Sequence, residues 1–443
     1  MIKKLSVFLL STVACLLRCN HAFLCQSPHR SPQLLTLQST IGPAIQVAQS
    51  THDLLSVSLW LPTDDNLPSH VRSQHVHHEK RQRWAAQWLT RFMELQQSSS
   101  DETDASLYAE EAFVRTVMAA AQPYDDTIPP TRKETQAIRQ SLVALHTLLR
   151  TNSKNGVAAE SKIIPSIRLL IQRAEQIAPL IPLQEAIEVR WAVRGLLASM
   201  GDQLALPQLE QRVSRLPFDI LPCGVADLQS VSAWQQDIPF HFDTIVTRTG
   251  ANVQERRGTA WVAEEGIGAL AYSGKLMTPH PLPASVLHVM RQVEHAMGRT
   301  EGSFFDCALC NWYPDGESAC KFHTDPEHGT MWDRLTCVVA AGDARRFAFR
   351  PIQTSWEVWD FNQHTRRPQT KGVNNEPAVI RLFPGDIVQM YDSCNDDFHH
   401  AVYPDADGRG RVSLVLKRAL PRGSKGHRGH GLVGEGRRSR RKR

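Results

Sequence analysis

The chain has 443 residues, 42% of them hydrophobic and 21% charged, with a formal net charge of +5 at pH 7. This balance excludes a disordered, collagen-like or coiled-coil chain, leaves ample residues for a core, and fits two or three domains. The charge is local: residues 421–443 hold nine Lys or Arg and one Glu, residues 1–52 hold four positive charges and no acid, and residues 53–420 are therefore about −7 by subtraction.

Lys3-Lys4 followed by an apolar run from Leu5 to Leu17, with Ala22 as a small residue, predicts a signal peptide over 1–22. The run is short for a membrane span, and nothing after it approaches the length of one. The segment 23–60 reads as disordered and transit-like, because to His52 it has no acid and is rich in Ser, Thr, Gln and Pro. His21-Ala22-Phe23-Leu24 in this setting resembles the bipartite plastid-targeting presequences of algae, which implies a plastid; a plain secretory leader with a linker is the alternative. Cys15, Cys19 and Cys25 fall in this presequence and six of the nine cysteines are scattered through the body, a usage that fits a reducing compartment.

Residues 75–216 are expected to form an α-helical accessory domain. Ile138–Leu149, Ile167–Ile177 and Ala186–Leu197 carry apolar residues at steps of three and four, the spacing of helices that bury one stripe. Pro-rich connections around Pro207 and from Pro222 to Pro239 lead to a β-rich region over 235–420, and Gln353–Pro377 reads as a loop inserted between its strands.

The chemistry concentrates in that region. His323-Thr324-Asp325 places two ligand types on one strand face if the segment is extended, and His400 and Arg411 follow in order. Two imidazoles and a carboxylate hold one face of Fe(II) and leave three positions for an oxoacid and O₂. A bare His-x-Asp arises often by chance, so its neighbours matter: Asn311-Trp312-Tyr313-Pro314-Asp315-Gly316 upstream, and downstream Val379–Met390, Phe398-His399-His400-Ala401-Val402 and Arg411–Lys417. Cys307 and Cys310 have CxxC spacing, but residues three apart on a strand face opposite ways and no second pair exists, which argues against zinc.

With these motifs the chain resembles, from about Arg257 to Leu420, the AlkB family of Fe(II)- and 2-oxoglutarate-dependent dioxygenases, the nucleic-acid dealkylases. The resemblance implies an α+β protein whose catalytic part is a double-stranded β-helix of jelly-roll type. It implies His323, Asp325 and His400 as iron ligands, with His399 as fallback, and Asn311, Tyr313 and Arg411 as contacts to 2-oxoglutarate. The arginine fork suits the distal carboxylate, and Ser413 lies on the same strand face. The implied cosubstrates are 2-oxoglutarate and O₂, and the implied outcome is loss of an N-alkyl group as an aldehyde, in DNA repair or RNA demethylation.

One departure is Lys417, which stands where the family has a second arginine; it keeps the charge and gives up the fork, so weaker or altered cosubstrate binding is expected. For the substrate, Trp261 and Tyr272 fall where the family places aromatics beside an extruded base, and Glu327 where it often has an acid; core packing and a solvated loop are the plain alternatives. The tail 421–443 is expected to be disordered and to contact nucleic-acid phosphates. A protein or small-molecule hydroxylase with the same iron chemistry, or an inactive nucleic-acid-binding scaffold, are the competing functions.

Overall fold

The computed structural model describes Ile45 and residues 75–98, 111–121, 130–151, 163–246, 250–272, 274–299, 303–361 and 376–421. The leader 1–22, the 23–60 segment apart from Ile45, residues 362–375 of the insertion and the tail from 422 lie outside those residues. Contacts divide the chain into two compact units, 1–181 with 196–212, and 182–195 with 213–443.

In the first unit the helices are α1 (His75–Ser98), α2 (Glu111–Ala121), α3 (Arg132–Thr151) and α4 (Ile164–Ile177). On α3, Ile138, Leu142, Leu145 and Leu149 are buried at steps of four, three and four, so one stripe is turned inward. Trp88 stacks on Phe92 at 5.1 Å and Phe113 meets both edge-on at 5.7 and 5.3 Å. Arg173 of α4 and Glu134 of α3 form a buried ion pair at 2.7 Å, each neutralising the charge that burial penalises in the other.

Helix α5 (Leu183–Met200) lies within the stretch read from sequence as helical domain, yet its residues up to Gly195 cluster with the second unit. The reason lies in its side chains. Arg190 and Arg194 both pair with Asp219, Glu188 accepts the Val379 N–H at 3.4 Å, and Trp191 stacks on Phe383 at 6.4 Å. Helix α6 (Pro207–Val213) then leads into the β structure.

The second unit runs β1 (Phe218–Leu221), α7 (Val231–Asp237), β2 (Thr244–Val246), β3 (Asn252–Gln254), β4 (Gly258–Ala263), β5 (Leu270–Tyr272), β6 (Lys275–Met277), β7 (His280–Pro281) and α8 (Ala284–Ala296). It continues with β8 (Cys307–Tyr313), β9 (Cys320–His323), β10 (Thr336–Gly342), β11 (Arg345–Pro351), α9 (Trp356–Phe361), β12 (Ala378–Leu382), β13 (Ile387–Met390), α10 (Cys394–Asp397), β14 (Phe398–Val402) and β15 (Arg411–Lys417). Helix α9 occupies the start of the insertion read from sequence as a loop.

Seven strands form one sheet in the order β1-β13-β10-β15-β8-β4-β7, antiparallel except for β4–β7, and four form a second antiparallel sheet, β12-β11-β14-β9. The expected mixture of α and β structure around a large antiparallel sheet is thus present. Strand parity explains the sequence pattern of the large sheet. Its outer face is apolar: Ala260, Val262, Ala308, Cys310, Val339, Val412 and Leu414 pack with Val286, Val289, Met290 and Val293 of α8, spaced three, one and three apart on one helix face. The alternate positions face inward and hold the polar residues.

Three features prepare the interior. Phe218 of β1 stacks on Phe349 of β11 at 3.8 Å and so joins the two sheets. Between β8 and β9, Asp315 accepts hydrogen bonds from Glu317 N, Ser318 N and Ser318 Oγ, fixing the turn. Gly316 sits so close to the backbone of Asp405 that a β-carbon would lie 1.9 Å from its carbonyl oxygen. The Pro-Asp-Gly of the sequence motif is therefore a turn pressed against the β14–β15 connection.

Candidate metal centre

His323 ends β9 and His400 lies directly opposite it on β14. Asp325 is two residues past the strand end, in a loop, so the expectation that one strand presents both ligands needs correcting: the loop carries the carboxylate, and its N–H is anchored to Asn395 Oδ1 at 2.9 Å. The ligand atoms of His323, Asp325 and His400 lie within 4.8 Å of one another. Asp325 Oδ1 is 3.8 Å from His323 Nε2 and 3.7 Å from His400 Nε2, so three donors face one point. His399 has the opposite strand parity, on the other face of β14, and is not in the cluster.

The protonation pattern suits a cation. His323 Nδ1 is 2.8 Å from the Lys321 carbonyl, which only accepts, so that nitrogen keeps a hydrogen and Nε2 becomes the ligand atom once its own proton is lost. Burial and then His323 push His400 down to about 3, so it is neutral. Burial alone would lower His323, but its contacts with Cys320 and Asp325 raise it to about 9, and a metal must displace a proton there. Burial would raise Asp325, but Lys417 and the two imidazoles outweigh it and hold the carboxyl well below its ordinary range.

Lys417 is buried, and its Nζ donates to Asp325 Oδ2 at 2.6 Å and to Thr336 Oγ1 at 3.3 Å. The residue expected to be a second contact for the cosubstrate is engaged with a carboxylate of the candidate metal cluster. Its bond occupies one carboxylate oxygen and leaves Oδ1 toward the imidazoles.

The register of β8 and β15 sets Tyr313 opposite Arg411 and Asn311 opposite Ser413, all four buried on the inner face. Arg411 has zero exposure and lies 5.7 Å over the Tyr313 ring, yet its Nε, Nη1 and Nη2 have no hydrogen-bond partner among the described residues; Asn311 Oδ1 has none either. Burial pulls the Arg411 guanidinium down to about 10, with Tyr313 acting in the opposite sense. An unpaired buried guanidinium is costly, so this cradle fits an anion delivered from outside. The donor set of the cluster fits Fe(II) by the same criterion of chemistry.

Beside the centre lies a cavity of about 1080 Å³, lined among others by Arg257, Tyr272, Cys320, His323, Glu327 and Met331. Tyr272 lines it, and its hydroxyl accepts a hydrogen bond from Arg257. Glu327 also lines it, held by a left-handed backbone at φ 55°. Trp261 does not: it has zero exposure, donates from Nε1 to the Gly268 carbonyl at 3.1 Å and packs edge-on against Trp332 at 5.1 Å, so it is a core residue.

Cys320 and Arg257 escaped the sequence reading. A bulge between the β9 and β14 pairings shifts the register, so Cys320 Sγ comes within 3.5 Å of His323 Nδ1 although residues three apart on a regular strand face opposite ways. Arg257 was legible in principle, since it precedes inward-facing Thr259 and Trp261 at even spacing; it bonds Tyr272, Cys320 and Tyr313.

Two imidazoles and a carboxylate thus form a candidate metal centre on the same interior as the buried Arg411 guanidinium. No protein-family model matches the chain. Over 178 residues, 40% of this chain and 80% of the relative, it is 31% identical to uncharacterized protein R406 of Acanthamoeba polyphaga mimivirus, and it belongs to one family with that protein. It is 25% identical over 188 residues to the alpha-ketoglutarate-dependent dioxygenase alkB homolog 3 of Rattus norvegicus, matching 42% of this chain and 57% of the rat protein. A Trichoplax adhaerens prolyl hydroxylase, solved with a hypoxia inducible factor peptide, overlaps 46% of this chain and 86% of its own at 13% identity and a TM-score of 0.28, too loose for a comparison of folds.

Proposed function

We propose that the protein is an Fe(II)- and 2-oxoglutarate-dependent dioxygenase of jelly-roll type that removes N-alkyl groups from nucleobases. The observation that carries the reading is the buried Arg411 guanidinium, without a hydrogen-bond partner among the described residues, on the same interior as the His323, Asp325 and His400 cluster. Iron with 2-oxoglutarate and O₂ supplies an oxidant able to hydroxylate a C–H bond, and a hydroxylated N-methyl group leaves as formaldehyde. The side chains bind and orient. Arg411 meets the distal carboxylate with a charge-assisted fork, Asn311, Tyr313 and Ser413 line its path, and Lys417 keeps Asp325 ionised and turned. Tyr272, Arg257 and Glu327 face the cavity in which a base is held, the aromatic offering a stacking surface. The similarity to the rat dioxygenase supports the dioxygenase chemistry, and nucleic acid as the substrate class is what the AlkB resemblance of the sequence implies. The leader adds a plastid location to the proposal, tested by fusing residues 1–60 to a fluorescent reporter.

Succinate release by anaerobically purified protein given Fe(II), 2-oxoglutarate and O₂, with and without N-methylated single-stranded DNA or RNA, tests the reading. Stimulation by one methylated polymer is expected. Turnover that no polymer stimulates would move the substrate to proteins or small molecules, and no turnover by the iron-loaded protein would refute the enzyme.

A further inference from the structure

The outer face of the four-stranded sheet is not used by the chemistry above. By strand parity it presents Arg346 and Arg350 of β11, His399 of β14, Arg381 of β12 and, just past β14, Tyr403, while Ala348 and Ala401 lie buried beneath them. Phe322 of β9 joins the same face: the Arg350 guanidinium lies 4.2 Å over its ring, and its ring meets that of Tyr403 at 6.0 Å. Arg346 lies over Tyr403 at 5.4 Å.

The arrangement is an alternation of flat rings and planar cations on an open sheet. Arg346 is exposed, and Phe322, Arg350, His399 and Tyr403 are half-exposed. Among the described residues, Arg381 is the one of the three arginines paired with a carboxylate, Asp405 at 3.5 Å, and the charged groups acting on Tyr403 are Arg346 and Arg350. Phe322 also lines the cavity beside the metal centre, so the face is continuous with the mouth of the site.

We infer that this face is a track for single-stranded nucleic acid, with bases stacking on Phe322 and Tyr403 and phosphates meeting Arg346 and Arg350, which leads the strand to the cavity. The inference rests on the nucleic-acid reading above and adds a path to it. A single strand is the partner that fits, because its bases are free to stack on aromatic and guanidinium planes, whereas a duplex offers those rings only its edges.

Fluorescence anisotropy of the full chain with labelled single-stranded DNA, single-stranded RNA and duplex DNA, across a salt series, reads this directly. The Arg346→Gln/Arg350→Gln variant should lower the salt slope on single strands by about 1.4, since each phosphate contact contributes about 0.7. Tyr403→Ala, a second and smaller change, should weaken single-strand binding by about tenfold or more. Both variants should keep the wild-type rise in melting temperature with Mn(II), which reports an intact metal centre. Unchanged affinity and slope in both variants, with methylated polymers still stimulating wild-type turnover, would overturn the track alone. Equal losses on duplex and single strand would also overturn it, leaving only a cationic patch. Absence of any polymer stimulation of the wild type would instead remove the nucleic-acid reading on which the track rests.

Discussion

Replacing Lys417 by methionine keeps most of the apolar stem of the side chain and removes the ammonium from Asp325. Side-chain exposure is 1% for Lys417 and 5% for Asp325, and Nζ lies 2.6 Å from Oδ2, so the change strands a carboxylate in the interior. Breaking a buried pair in this way costs about 3–5 kcal/mol, roughly 10 °C of melting temperature for a unit of this size. A divalent cation supplies the missing positive charge, so Mn(II) should raise the melting temperature of the variant by more than that of the wild type. Because the ammonium is engaged with Asp325, the KM for 2-oxoglutarate should stay within about twofold. Differential scanning fluorimetry with and without Mn(II), paired with succinate kinetics, separates the two roles. A metal-free variant melting within about 2 °C of wild type would refute the ion pair. A tenfold rise in KM with unchanged metal response would assign Lys417 to the cosubstrate.

Arg411→Met should raise the KM for 2-oxoglutarate by about 30-fold or more, while the cosubstrate-free protein melts no lower than wild type because an unpaired buried charge is gone; a lower melting temperature would mean that the guanidinium has a structural partner. His323→Ala or Asp325→Ala should abolish metal-dependent succinate formation and the Mn(II) shift, and turnover surviving in metal-stripped protein would count against the centre. In the first unit, burial and then Arg150 depress His146 to about 3, so the native ring is neutral while the unfolded chain takes up a proton below about 6.5. Stability should therefore fall by about 1.4 kcal/mol per pH unit as pH drops from 6.5 toward 3, and circular dichroism melts of His146→Leu should lose that slope; identical slopes would refute the assignment.

What the sequence made legible follows from local rules. Period-two alternation in Arg411–Lys417 and Cys307–Tyr313 already separates the polar interior from the apolar face that α8 covers, because neighbouring positions on a strand cannot share a side. The order of His323, Asp325 and His400 was equally readable. What stayed hidden depends on pairs far apart in the chain. Lys417 meets Asp325 across 92 residues, and no local pattern announces that its charge is spent there. Trp261 has the parity of an inward residue, but Trp332 covers it and keeps it from the cavity. Cys320 reaches His323 only through a bulge, which breaks the rule that strand reading relies on.

Strand β15 is hydrogen-bonded along both edges, to β10 and to β8, and it carries Arg411 at one end and Lys417 at the other. At about 3.3 Å per residue, six steps fix these cations some 20 Å apart at their α-carbons, and neither can slide without unzipping a ladder on each side. The backbone therefore acts as a gauge. The interval between the Arg411 guanidinium and the Lys417–Asp325 pair is thus set by peptide geometry rather than by the side chains of the strand between them.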